Sequence, residues 1–321
     1  MERGLRNILF GCAQVVSGSV ALFTVLSVFA SLFLLGELLV HFKVFYLLGA
    51  AASAGAFALG RRWRWLVFAA LLVAIHLPGV LVWYLPVPDT PAGLVQSNLR
   101  IVTANLLKSN LKHDLFLEFI ADADPDIIFI QEIDDAWAVS LRALEEAYPY
   151  SELLPSPGDF GIALFSRVPL DPVEIVYYTD SVLPWVHAGL TVNGRHLSVL
   201  SYHTWPPVSR ERLETRDGDL DFLAKYVADA EDLVLVAGDF NVTPWSPSYK
   251  KMIRASGLKN ARRGFGIKPT WSVIPSPVAL LPLDHVLLSP EIAVKSLRVG
   301  PRIGSDHRPL IVDLAVPPPP P

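Results

Sequence analysis

The chain is poor in cysteine, with a single one among 321 residues. Cys12 has no partner, so an intramolecular disulfide is excluded, and cysteine usage leaves the redox compartment open. With no cluster of soft ligands, a thiolate-bound zinc site is excluded as well. Charge is also scarce, at 18% of residues. It is missing altogether from Phe10 to Leu35 and from Val44 to Gly60, while Trp65 to Leu85 holds only His76. Basic residues are in deficit after Leu85, where 21 Lys and Arg face 29 Asp and Glu, a formal charge of −8. Generic polyanion binders show the opposite balance, so a dedicated long-nucleic-acid binder is disfavoured.

What is present in abundance is apolar surface, at 52% of residues and concentrated at the front. A helix needs about 20 apolar residues to cross the hydrocarbon core, with about 17 as the lower limit. The three charge-free runs therefore predict three transmembrane helices, the second marginal in length. The first run is too long, and too closely followed by others, for a cleaved signal peptide. Arg3 and Arg6 precede the first run, and Arg61, Arg62 and Arg64 separate the second from the third. Arginine-rich segments stay in the cytoplasm. The expected topology is a cell-membrane protein with a cytoplasmic N-terminus and everything after Leu85 extracytoplasmic. Glu37, His41 and Lys43 are expected in the outer loop. With so little intramembrane charge, the helices read as an anchor rather than a transporter or receptor.

The prolines mark the expected domain limits: a membrane domain over 1–85, a Pro-rich linker over 86–98, a catalytic domain over 99–316 and a disordered proline tail over 317–321. Extended, the linker spans at most roughly 40 Å. Within the catalytic domain, apolar runs predict strands at Leu99–Ala104, Asp126–Gln131, Ile162–Ser166, Ile175–Tyr178, Ala188–Val192, His196–Tyr202, Leu233–Ala237, His285–Leu288, Val294–Val299 and Leu310–Ala315. Helices are expected at Asp114–Ala121, Ala136–Ala147, Arg210–Ala228 and Pro247–Ser256, with Gly218 a candidate break in the third. This alternation predicts an α/β or α+β class, with sheets covered by helices.

The chemistry gathers at the ends of these runs. Leu233 to Ala237 has no polar break, as in a strand buried on both faces, and it delivers Asp239 and Asn241. Other runs end in Asn105, Glu132 and His203, while Asp284 and the pair Asp306–His307 stand just before strands. Each alone could be a cap or a loop residue, but ligand sites of layered α/β proteins collect at strand ends in this way. Mg²⁺ takes few carboxylates plus water, and an Asp–His couple holds an imidazole in one tautomer. The basic run Lys250, Lys251, Arg254, Lys259, Arg262, Arg263 and Lys268 reads either as a rim to the site or as a solvated face. Trp205, Trp245 and Trp271 read as an apolar rim or as core.

The segments Thr103-Ala-Asn105, Gln131-Glu132, Gly161-Ile-Ala-Leu-Phe-Ser-Arg167, Tyr202-His203-Thr, Gly238-Asp239-Phe-Asn241, Asp284-His285 and Ser305-Asp306-His307 occur in that order. In this they resemble the endonuclease/exonuclease/phosphatase superfamily, and the apolar front resembles its membrane-anchored bacterial branch. The resemblance implies a four-layer α/β sandwich, two packed sheets flanked by helices. It implies a hydrolase of a phosphate-ester substrate that uses Mg²⁺ or Mn²⁺. Glu132 matches the principal metal ligand, with Asn105 its neighbour and Asp306 a further acid near the metal. Asp239 and Asn241 match the pair that positions water and binds the phosphoryl oxygen. His307 matches the histidine at the reacting phosphate, Asp284 the carboxylate orienting it, and His203 a second histidine. A membrane-associated lipid phosphate is the favoured substrate over nucleic acid, because tethering raises effective concentration only toward what shares the surface. The alternatives are an extracytoplasmic nuclease and a catalytically silent tethered module. Whether Asp239 or His307 is the base, and the oligomeric state, stay open at this level.

Overall fold

The computed structural model describes residues 2–87, 98–178, 183–272 and 281–319. Most of the expected linker, residues 88–97, and the end of the proline tail, residues 320–321, lie outside the described residues. The chain divides into two compact units, Met1–Leu85 with Trp245–Pro247, and Pro86–Pro244 with Ser248–Pro321.

The first unit is helical: α1 (Glu2–Val28), α2 (Leu34–Val40), α3 (Lys43–Leu59) and α4 (Trp63–Leu81). Among the described residues two helices, α1 and α4, are long and apolar enough to cross a membrane. The count reaches three if α2 and α3, bent by 65°, form one span. The first apolar run is therefore not one span to Leu35. Helix α1 stops at Val28, and α2 folds back so closely that a Cβ on Gly36 would stand 2.9 Å from the Leu26 carbonyl oxygen. Glu37, expected in a loop, lies inside α2 and is buried, its Oε1 3.8 Å from His41 Nε2. Thr24 on α1 and His76 on α4 share a hydrogen bond of 2.9 Å. At the other end, the Arg62 guanidinium lies 5.1 Å over the Phe10 ring. Leucines, isoleucines and valines of α1 and α4 face outward, among them Leu22, Val25, Leu71 and Ile75.

The second unit holds two six-stranded sheets. The strands are β1 (Leu99–Asn105), β2 (Ile127–Gln131), β3 (Tyr150–Leu154), β4 (Ile162–Ser166), β5 (Val173–Tyr177), β6 (Pro184–Val192), β7 (Arg195–His203), β8 (Leu233–Asp239), β9 (Lys259–Asn260), β10 (Asp284–Leu288), β11 (Ala293–Val299) and β12 (Leu310–Ala315). The helices are α5 (His113–Ala123), α6 (Asp135–Leu141), α7 (Arg210–Ala228) and α8 (Pro247–Ser256). One sheet runs β11-β12-β1-β2-β4-β3 and the other β5-β6-β7-β8-β10-β9. Each is mixed, because β1–β2 and β7–β8 are parallel and the remaining pairs antiparallel. A parallel pair needs a crossover, supplied here by α5 and by α7.

Alternation along each strand sends side chains to two cores. Ile101, Phe129 and Leu164 meet Val199, Leu235 and Val286 between the sheets. On one outer face Val102, Ile128 and Phe165 pack on Phe116 and Trp137 of α5 and α6. On the other, Leu200, Val234 and Leu287 pack on Leu220, Leu223 and Met252 of α7 and α8. The result is an α/β sandwich of two mixed sheets flanked by helices. Asn193 and Gly194 both take positive φ between β6 and β7, as a two-residue hairpin turn requires. Helix α7 runs straight through Gly218, so that residue marks no break. It is small because a Cβ there would stand 3.0 Å from the Tyr178 hydroxyl. Helix α6 stops at Leu141 and continues only as a 3₁₀ turn, Arg142–Leu144.

Candidate active site

Strand register brings the site together. In the parallel β7–β8 pair His203 stands opposite Asp239, and in the antiparallel β8–β10 pair Asp284 stands opposite Asp239. In the other sheet Asn105 pairs with Gln131, so Glu132 follows immediately at the same edge. The two sheets then meet through side chains. Asn105 Nδ2 donates to Glu132 Oε1 at 2.7 Å and to Asp239 Oδ2 at 3.1 Å. Its own Oδ1 accepts from the Leu107 N–H at 3.0 Å. Asn105 thus bridges two carboxylates that come from different sheets.

The imidazoles surround the same oxygen. His307 Nε2 lies 3.5 Å from Asp239 Oδ2, and His203 Nε2 lies 3.9 Å from it. His307 Nδ1 is 2.9 Å from Asp284 Oδ2. Asn241 donates its backbone N–H to Asp239 Oδ1 at 2.9 Å and its side-chain amide to the Thr204 carbonyl at 2.8 Å. That amide is 3.5 Å from His203 Nε2. Asn105, Asp239, Asp284, His203 and His307 are all buried.

Burial and charge set the electrostatics. Burial pushes the Glu132 carboxyl up to about 7, against the Asn105 hydrogen bond and with the repulsion of Asp239 and Asp306. Burial likewise pushes Asp239 up to about 6. For His307 burial would lower the pKa, but the charges of Asp284 and Asp239 outweigh it and carry it up to about 10. Asp284 is also disfavoured by burial, yet the His307 charge and the hydrogen bonds from His307 and Thr270 hold it below its ordinary value. His203 goes the other way, down to about 3, through burial and then the His307 charge. Its Nδ1 has no hydrogen-bond partner among the described residues. The two histidines therefore differ in kind, one a cation held by carboxylates and one a neutral donor or acceptor.

The donor set suits a hard divalent cation. Ligand atoms of Glu132, His203 and Asp239 lie within 4.8 Å of one another, as do those of Asp239, Asp284 and His307. Two carboxylates, Asp239 buried and Glu132 half-buried, crowd against one neutral amide and carry negative charge that an oxygen-preferring ion would neutralise. Asp306 stands apart from both groups. It is exposed, and its Oδ2 accepts from Trp271 Nε1 at 2.9 Å.

Several residues that shape the site went unassigned in the sequence reading. Arg262, read with the basic run as rim or solvated face, is fully buried behind the site. Its guanidinium donates to the Asp284 carbonyl and, at 3.3 Å and 3.2 Å, to the Lys268 carbonyl. Lys251 of the same run is exposed and pairs with Asp221. Trp205 does edge the site: Phe160 lies 4.3 Å from its ring and 5.3 Å from the His203 ring, and Arg212 lies over its indole at 4.8 Å. Thr204 stands in the Tyr202-His203-Thr segment but drew no role of its own, and Arg216 and Thr270 carried no motif that would have singled them out.

Comparison with known proteins follows the same lines. No curated protein matches the chain. Among solved structures, the endonuclease/exonuclease/phosphatase from Beutenbergia cavernae DSM 12333 is 21% identical, with a TM-score of 0.58 over 69% of this chain and 72% of that one. D. rerio TDP2 complexed with single strand DNA product is 18% identical, with a TM-score of 0.57 over 68% of this chain and 99% of that one. Sphingomyelinase C from Streptomyces griseocarneus is 19% identical, with a TM-score of 0.52 over 67% and 98%. At these identities the likeness is one of fold. The profile of the Endonuclease/Exonuclease/phosphatase family matches residues 96–307, well over half the chain and every residue of the site just described. The chain belongs to the endonuclease/exonuclease/phosphatase family.

Proposed function

We propose that the protein is a membrane-anchored, divalent-metal-dependent phosphoesterase. It cleaves a phosphodiester, or a phosphomonoester, by in-line attack of water. The observation that carries this reading is the convergence on Asp239 Oδ2 of the Asn105 amide, His307 and, at longer range, His203. Glu132, with Asn105 beside it, would hold Mg²⁺ or Mn²⁺, and Asp306 adds negative charge from the exposed rim. When bound, the ion supplies positive charge to a phosphoryl oxygen. Asp239 offers the carboxylate oxygen that orients the attacking water and takes its proton. His307, held by Asp284, is placed to donate a hydrogen bond to the phosphoryl oxygen. Asn241 and His203 donate to the same growing charge.

Membrane attachment is supported by the outward-facing apolar side chains of α1 and α4. The favoured substrate is a membrane-associated lipid phosphate, consistent with the formal charge of −8 after Leu85. A nuclease is the second reading, favoured by the likeness to the TDP2 structure that contains a single-strand DNA product. The test uses the full chain in liposomes with Mg²⁺ or Mn²⁺, on a chromogenic phosphodiester, phospholipids, DNA and RNA. Activity should disappear in EDTA, return with metal, and be lost in Asp239→Asn and His307→Ala. Full turnover in chelator would overturn the mechanism. Cleavage of DNA or RNA without release of any lipid phosphate would leave the nuclease reading standing instead.

A further inference from the structure

Helix α7 carries two charged side chains where a helix covering a sheet should be apolar. Arg216 and Asp219 are three residues apart, on one face, and both are fully buried. Buried charges are costly unless paired and hydrogen-bonded, so what they hold is informative. Arg216 Nη1 donates to the Asn241 carbonyl at 3.3 Å. Its Nε and Nη2 donate to Asp217 Oδ1 at 3.0 Å and 2.6 Å, and Nη2 also donates to Ser248 Oγ at 3.2 Å. Asp219 Oδ2 accepts from the Thr204 hydroxyl at 2.5 Å. The Thr204 carbonyl in turn accepts the Asn241 side-chain amide at 2.8 Å.

We propose that Arg216 and Asp219 are positioning residues that clamp Asn241 in its working orientation. The inference rests on the hydrolytic reading above and names part of what makes that site work. Asn241 is gripped at both ends. Arg216 fixes its backbone carbonyl, and Asp219 fixes, through Thr204, the acceptor of its side-chain amide. Asn241 stands at φ 47°, in left-handed backbone that asparagine tolerates, and the grip holds that turn in one orientation. The rotamer so fixed keeps the amide beside His203 Nε2, at 3.5 Å. Neither charge needs to touch substrate. Both act through one residue that does.

The test is a double-mutant cycle on the full chain with the chromogenic phosphodiester and Mn²⁺. Arg216→Lys and Asp219→Asn should each lower kcat by roughly tenfold and change KM by less than about twofold. Asn241→Ala alone should cost on the order of a hundredfold. In the Asn241→Ala background the α7 substitutions should cost nothing further, because residues that act through a shared partner are not additive. Additive losses would overturn the clamp and make the pair merely structural. Thr204→Val, which deletes one hydroxyl and keeps the carbonyl, provides the same cycle should the charge variants fail to fold. A second readout separates this inference from the functional one. Amide hydrogen exchange over residues 239–244 should quicken in Thr204→Val and Asp219→Asn while exchange in β1 and β2 stays as in the parent. Unchanged exchange over 239–244 overturns the clamp even if the parent hydrolyses no phosphodiester, and a parent that hydrolyses none overturns the functional reading alone.

Discussion

Glu132 stands at φ 60°, where a non-glycine residue loses on the order of 1–3 kcal/mol, whereas Asn241, at 47°, is of a type that tolerates this region. Glu132 is additionally a carboxylate pushed toward its neutral form by burial. Its side chain is thus placed at a cost to the fold, as happens where a site needs a particular vector more than stability. The neutral isostere should separate the two. In EDTA, Glu132→Gln should melt at or above the parent temperature, while its turnover with Mg²⁺ falls by at least about a hundredfold. A lower melting point would mean that the carboxylate stabilises the metal-free fold. His203→Ala should lose roughly a hundredfold in kcat, as expected for one donor to a growing charge. The identities of these residues were legible in the sequence because each follows or precedes an apolar run. Their backbone conformations were not, since a left-handed Glu is set by tertiary packing. Nor was the fate of Arg262, because a buried arginine and a solvated one look alike inside a basic run.

Strands were legible where burial on both faces makes an unbroken apolar word, as in Leu233 to Ala237. Strand β3 was missed because an edge strand with polar Ser151 and Glu152 carries no such run, and β9 because two residues make no pattern. The pairing of β1 with β12 brings together ends of the domain more than 200 residues apart in sequence, and it is pinned by Arg100. Its Nε donates to Asp313 Oδ1 at 2.6 Å, and Ser296 donates to Asp313 Oδ2 at 2.5 Å. Burial alone would raise the Asp313 pKa, but the Arg100 and Ser296 hydrogen bonds outweigh it and hold it below the usual 3.8. A depressed carboxylate contributes stability above its unfolded value and loses it as pH falls through the folded one. Asp313→Asn should therefore lower the urea midpoint at neutral pH, by an amount that shrinks as pH falls below about 4. A difference that stayed constant down to about pH 2 would show that the ionised carboxylate is not what pins the pair.

At the scale of the whole molecule, the side of the membrane depends on parity. Two spans would leave the N-terminus and the catalytic domain on one side, and three would separate them. Helix α3, with 17 residues, is about 25 Å long, somewhat short of the roughly 30 Å hydrocarbon core. Yet Arg62 lies over Phe10, one turn beyond Arg6, so both arginine segments gather at one end of the helical unit. If the arginines are retained in the cytoplasm, α3 returns across the bilayer. An alkaline phosphatase fusion after Leu85 should be active, and a cytoplasmic reporter at the same point silent. The reverse result would mean that the bent pair is re-entrant. The hydrogen bond between Thr24 and His76 bears on a different matter, the modularity of the helical unit. A tether needs only one greasy helix, and any would serve. Here the first and last helices each carry a polar group whose partner is on the other, and lipid supplies no substitute. A graft that replaced α1 with a generic hydrophobic segment would strand the imidazole, so these helices are exchangeable only as a set.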